Sequence, residues 1–212
     1  MKRLLLAVLI VTFGSLLLLA QDKKTDKKGD MKHDHAAMDH GAMPPMAKPA
    51  PEMTKLIKML SGSWTTDEKA EPGPMTPKGA TAKGSATFKA GPGGMSLMED
   101  YNSPHGVMGP FHGHGVTWWD AQAGAYKTTW CDSMSPACMV FTSKWKGDQL
   151  VGDPLESDMG GQKMVMSSAY TEIKPDKVTF EMGMGMKADQ VKKTMTIVYN
   201  KAGAKSATPA AK

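Results

Sequence analysis

Val178-Thr179-Phe180-Glu181-Met182-Gly183-Met184-Gly185-Met186 alternates large apolar residues with small or polar ones without a break. Successive side chains leave a strand in opposite directions, so a period of two marks a strand with one buried face. Val178, Phe180, Met182, Met184 and Met186 share one side; Thr179, Glu181, Gly183 and Gly185 share the other. A helix would scatter the same residues around its circumference. The neighbouring segments repeat the pattern. Met164, Met166 and Tyr170 oppose Lys163, Ser167 and Thr171, and Val191, Met195, Ile197 and Tyr199 oppose Lys192, Thr194 and Thr196.

Extended toward the N-terminus, the same alternation between Gly- and Pro-rich breaks predicts strands near 62–68, 81–89, 95–102, 112–120, 125–132, 137–146, 149–157, 162–173, 177–186 and 191–200. A short amphipathic helix precedes them: Met53, Leu56, Ile57 and Leu60 fall three and four apart, Lys55 and Lys58 face outward, and Ser61-Gly62-Ser63 stops it. Evenly spaced strands with short connections and no intervening helix describe an all-β chain, a ten-stranded antiparallel up-and-down barrel. Closure removes the edges that an open sheet of that size would have to protect. The polar outer faces argue against an outer-membrane barrel, whose lipid-facing side must be apolar.

Leu60-Ser61-Gly62-Ser63-Trp64 resembles the entry motif of lipocalin-like barrels, Gly-x-Trp after a short helix, in which the Trp plugs one end of the cavity. Gly109-Pro110-Phe111-His112-Gly113, Val116-Thr117-Trp118-Trp119-Asp120 and Trp130-Cys131-Asp132-Ser133-Met134-Ser135 are similar to the pattern of the bacterial domain-of-unknown-function family 1579. The resemblance covers residues 52–200 and implies a lipocalin-like fold of calycin or nitrobindin type, with no established activity. Related nitrobindin-type barrels hold haem through a histidine in the late strands. No histidine follows His114 here, so haem is not expected. A methionine stripe at strand spacing is read as packing rather than as iron ligands.

The ends of the chain have a different composition. Lys2 and Arg3, an apolar stretch Leu4–Ala20 and the polar switch Gln21-Asp22-Lys23-Lys24 describe a secretory signal peptide, residues 1–20, and a periplasmic or secreted mature chain. An uncleaved anchor is the alternative reading, since the stretch reaches only the short limit of a membrane span. Residues 21–51, without aromatic or branched aliphatic side chains, read as a disordered Met/His/Pro-rich tail, and 201–212 as a second tail, leaving 52–200 as the barrel domain. The whole chain carries a formal net charge of +5. Cleavage would leave about +3, too little to argue for nucleic acid. In an oxidising compartment Cys131 and Cys138 are expected to form a disulfide closing a hairpin.

The histidines form two clusters. His33, His35 and His40 stand with Met31, Met38, Met43 and Met46 in the N-terminal tail. Thioethers favour Cu(I) and imidazoles take Cu(II), so His33, His35, Met38, His40, Met43 and Met46 suit copper in either oxidation state. A solvated linker without metal is the competing reading. In the second cluster His112 and His114 share a strand face and make a weaker metal pair. No carboxylate pair, nucleophile motif or phosphate loop stands out, and Asp132-Ser133 reads as a turn.

The function expected from this pattern is the binding of a small apolar ligand within the barrel, without catalysis. Trp64, Trp118, Trp130, Met164, Met166, Phe180, Met182, Met184 and Met195 are the expected contacts. Copper handling by the tail is the first alternative, and an enzyme of unknown reaction using the cavity the second. If the tail is the copper site, deletion of residues 31–46 abolishes Cu(I) and Cu(II) binding in calorimetric titration of the exported protein. Unchanged binding rejects that assignment.

Overall fold

The computed structural model describes residues 47–158 and 161–203. The expected signal peptide, the copper-ligand set from His33 to Met46 and the chain beyond residue 203 lie outside these residues. Pro51–Leu60 forms a helix, α1. Pro51 opens it where a missing N–H leaves no bond unmade, and Met53, Leu56 and Leu60 are buried along one face. Gly62 then turns the chain into the first strand with φ +131, a conformation that L side chains rarely adopt.

The strands are β1 (Gly62–Ala70), β2 (Ala80–Ala90), β3 (Ser96–Gly106), β4 (Gly109–Asp120), β5 (Ala125–Asp132), β6 (Met139–Lys146), β7 (Gln149–Gly152), β8 (Leu155–Asp158), β9 (Lys163–Ile173), β10 (Lys177–Gly185) and β11 (Lys192–Lys201). Neighbours in sequence pair antiparallel from β1 to β7, β11 returns to β1, and the pairing of β9 with β10 closes the ring. The expected strand over 149–157 is two pieces, β7 and β8, interrupted at Asp153-Pro154. Pro154 has no N–H for the ladder. Both pieces pair with β9, through Leu150 opposite Tyr170 and Leu155 opposite Met166. They make one broken stave, so the barrel has ten staves built from eleven strand segments.

One end of the barrel is sealed. α1 packs against β2, β3 and β4, over a core that includes Trp64, Phe88, Leu97, Tyr126, Leu150, Val178 and Tyr199. Trp64, 1% exposed, donates its indole N–H to the Leu60 carbonyl at 2.8 Å, which ties β1 to the end of α1. The Lys201 ammonium lies 4.3 Å from the Trp64 ring centroid and donates to the Ser61 carbonyl. The Tyr126 hydroxyl donates to the Glu52 carbonyl at 3.1 Å and accepts from Trp145 Nε1 at 3.2 Å. The helix is therefore bolted to both the first and the middle staves.

Trp64→Ala should lower unfolding free energy by about 3–5 kcal/mol, because it empties the plug and orphans the Leu60 carbonyl. Trp118→Ala, at an outward position 36% exposed, should stay within about 0.5 kcal/mol of the parent. Urea denaturation of the two variants checks the pair.

Candidate functional site

Directly paired residues point to the same side of a sheet, so the ladder assigns the lumen side stave by stave. From Trp64 the inward set runs through Thr66, Glu68 and Ala70 on β1 to Ile197 and Met195 on β11 and Phe180 and Met182 on β10. It continues to Tyr170, Ser168 and Met166 on β9. The other way round it passes through Glu99 and Tyr101 on β3, Phe111, Gly113, Gly115 and Thr117 on β4, Thr128 and Trp130 on β5 and Phe141 and Met139 on β6.

Burial divides this inner wall in two. Beside α1 the inward residues Trp64, Ala86, Phe88, Leu97, Tyr126, Leu150, Val178 and Tyr199 are all buried. Farther from α1, Phe111, Trp130, Met139, Met164, Met166, Phe180, Met182, Met184 and Met195 keep part of their surface accessible. These inward side chains are therefore less tightly packed than the set beside α1. Six methionines line that half, on β6, β9, β10 and β11. Their unbranched thioethers can repack around an irregular guest.

Aromatic rings run from the buried end up the facing wall. Phe88 and Tyr199 lie 5.9 Å apart between centroids, Tyr199 and Tyr101 6.2 Å, Tyr101 and Phe111 5.9 Å, and Phe111 stacks on Trp130 at 6.5 Å. Across from them Tyr170 and Phe180 are 4.9 Å apart. Trp130 lies flat on β4: a Cβ built on Gly113 would sit 2.2 Å from its ring, and one on Gly115 3.0 Å. Its Nε1 donates to Asp132 Oδ2 at 3.0 Å, while Asp132 Oδ1 accepts from the Met134 and Ser135 amides at 2.9 and 2.8 Å. Asp132 thus caps the turn and orients the indole at once, and the turn reading of Asp132-Ser133 gains this second role.

The same wall carries polar groups that an apolar-inside reading overlooks. Tyr101 donates to Glu68 Oε1 at 2.7 Å, and the Val107 amide donates to Glu68 Oε2 at 3.2 Å. Tyr199 donates to Glu99 Oε1 at 3.3 Å. Burial lifts the Glu99 carboxyl to about 8, with a smaller push from Asp100 against the opposing bond from Tyr199. Burial also raises the Tyr101, Tyr170 and Tyr199 hydroxyls above their ordinary range. The available signal was Leu97-x-Glu99-x-Tyr101, a carboxylate at a position whose parity is otherwise apolar.

The residues expected to touch a ligand are not all brought together. Met164, Met166, Phe180, Met182, Met184, Met195 and Trp130 share the lumen. Trp64 lies beneath it, in the sealed end. Trp118 does not belong: it pairs with Ser96 and Lys127 on the outer face, and its neighbour Trp119 takes the inward position against Tyr126, at 5.0 Å. Two adjacent tryptophans leave parity as the only arbiter, and β4 resolves it in favour of the second. Met186, beyond the end of β10, is 49% exposed. His112 and His114 lie on the outer face, lining a shallow groove of about 630 Å³ with Asp100, Asn102 and Ser133. His114 Nδ1 is 2.7 Å from Asp100 Oδ1. Among the described residues no group of three or more His, Cys, Asp or Glu side chains is placed to hold a metal. Cys131 and Cys138 are joined in a disulfide across the β5–β6 connection, with Cα atoms 4.3 Å apart.

A protein family described as of unknown function, DUF1579, matches residues 49–201. The chain belongs to this family. Three segments that resemble the DUF1579 pattern have physical roles here: Gly62-x-Trp64 seals the barrel, Gly113 makes room for Trp130, and Trp130-x-Asp132 holds that ring in place. The crystal structure of Rv2717c from M. tuberculosis is similar at a TM-score of 0.52 and 16% identity, over 73% of this chain and 99% of that one. At that identity the likeness concerns the fold alone. No curated protein matches.

Glu99 makes a prediction with a definite sign. Folded, it keeps its proton up to about pH 8; unfolded, it ionises near the ordinary 4.5. The folded state therefore holds the extra proton between those values, and stability falls as pH rises through that window, by up to about 1.4 kcal/mol per pH unit. Urea denaturation at pH 5 and pH 8 should show this loss in the parent and a smaller one in Glu99→Gln. Equal losses would show that Glu99 does not titrate in this way.

Proposed function

We propose that this chain is an exported binding protein that takes up a small apolar molecule in the open half of its barrel and performs no chemistry on it. The observation that carries the reading is the division of the inner wall: fully buried beside α1, partly accessible among the methionines and aromatic rings above. Barrels of this size either fill their interior with side chains or hold one small ligand. The accessible surface at Met166, Met182, Met195, Phe180 and Trp130 favours the second outcome. Export is supported by the charged start, apolar stretch and polar switch at the N-terminus. Copper handling by residues 31–46 is a separate reading that rests on the composition of that segment and on the titration given above.

N-phenyl-1-naphthylamine, a neutral apolar fluorophore, should bind saturably with enhanced emission. Met182→Trp, which fills the lumen from β10, should weaken it by at least about tenfold without lowering the thermal midpoint. Trp118→Ala, on the outer face, should leave it unchanged. Identical binding by Met182→Trp and the parent would exclude the lumen as the site. Native mass spectrometry of protein purified from its host should show a bound small molecule.

A further inference from the structure

The sign of charge inside the barrel says more about the guest than its apolarity does. Glu68, Glu99 and Asp132 all occupy inward positions. Above the Trp64 floor no inward position among the described residues carries Lys, Arg or His until Lys192, exposed at the rim beside Met184. Lys201 is the other inward cation, and it lies under the plug, against the Trp64 ring. Glu68 and Asp132 have protein donors on both oxygens.

Glu99 differs from the other two carboxyls. Tyr199 reaches one of its oxygens, and among the described residues nothing hydrogen-bonds to Oε2. The wall surrounds Glu99 deeply, yet part of its surface stays accessible. The titratable groups around it are Tyr199 from β11, Tyr170 from β9, and Tyr101 and Asp100 from its own strand. Its ladder partners, Phe88 on β2 and Gly115 on β4, carry no charge. A carboxyl held in such a place without a cation lacks the counter-charge that usually accompanies a buried acid. Three tyrosines stand near it, Tyr199, Tyr170 and Tyr101, and aromatic rings attract cations.

We infer that the lumen is selective for a cationic amphiphile, an organic amine or ammonium with an apolar body, whose charged head docks on Glu99 between the tyrosines while its body lies along the methionines. The inference rests on the lumen-binding reading above and adds the chemical class of the guest. An ammonium head supplies the counter-charge that the wall lacks and favours the ionised carboxylate. Uptake near neutral pH therefore expels a proton from Glu99 into the buffer.

Displacement of N-phenyl-1-naphthylamine by octylammonium, octanol and octanoate, at one pH and ionic strength, tests it. In the parent protein octylammonium should compete at a concentration at least about tenfold lower than octanol, with octanoate the weakest. Calorimetry in two buffers of different ionisation enthalpy should register proton release with octylammonium and none with octanol. Glu99→Gln should bring octylammonium to the level of octanol and leave octanol unchanged, which also shows that the variant is folded. Octanol matching or exceeding octylammonium in the parent overturns the inference whatever the variant does. So does an ammonium preference that survives Glu99→Gln. If none of the three displaces the fluorophore, or the fluorophore does not bind, the lumen-binding reading falls and this inference falls with it.

Discussion

The return of the last strand to the first, Trp64 opposite Lys201 through Ala70 opposite Met195, is the pairing on which the rest of the structure depends. It joins segments more than a hundred residues apart and turns a meander into a ring with an inside. Without it every stave would keep its alternation, but the methionine faces would look onto solvent. With it they look at one another. Long-range pairing of this kind carries a large loop-closure cost, offset only when the enclosed apolar surface is buried. The sealed end supplies that burial. Trp64, the Leu60 carbonyl and the Lys201 ammonium meet where helix, first strand and last strand converge.

The two halves of the barrel solve different problems. Next to α1 the wall is packed to completion, which is where stability comes from. Away from it the inward side chains stay partly accessible, and the wall holds its shape through backbone-level devices. Trp130 lies on Gly113 and Gly115 because any larger residue at either position would occupy its ring. Asp132 ties that ring to the turn that the disulfide closes. The upper wall thus has braced side chains on β4 and β5, with Met139 beside Trp130, and the other five inward methionines stand on β9, β10 and β11.

Glu99 departs from the apolar logic of the interior. Desolvation makes its ionised form costly, and a protein selected for stability alone would place a leucine there. Strongly perturbed carboxyls in cavities occur disproportionately at functional sites. A local cost offset only by the hydrogen bond from Tyr199 is the kind of exception that occurs at functional sites.

Much of this was legible from residues alone. Alternation in Val178–Met186 and its neighbours identified strands, the closed antiparallel class and most inner faces, because side-chain direction in a strand has a period of two. The bulge at Met182/Gly183 reverses parity at the start of β11 and turns Lys192, expected outside, to the inner side. The expected strand over 149–157 runs through Pro154, whose missing N–H splits it into β7 and β8. Parity failed where it had two answers. Trp118 and Trp119 are equally apolar, and only pairing with β3 and β5 sends the first outward. The polar side of the lumen was hidden for a related reason. Glu68, Glu99, Tyr101 and Tyr199 come from three strands and acquire a shared environment only when the ring closes. Sequence determined which way each strand presents its side chains; the tertiary structure decided which of those side chains meet, because distance, desolvation and the absence of a counter-charge belong to the assembled wall and to no single segment of it.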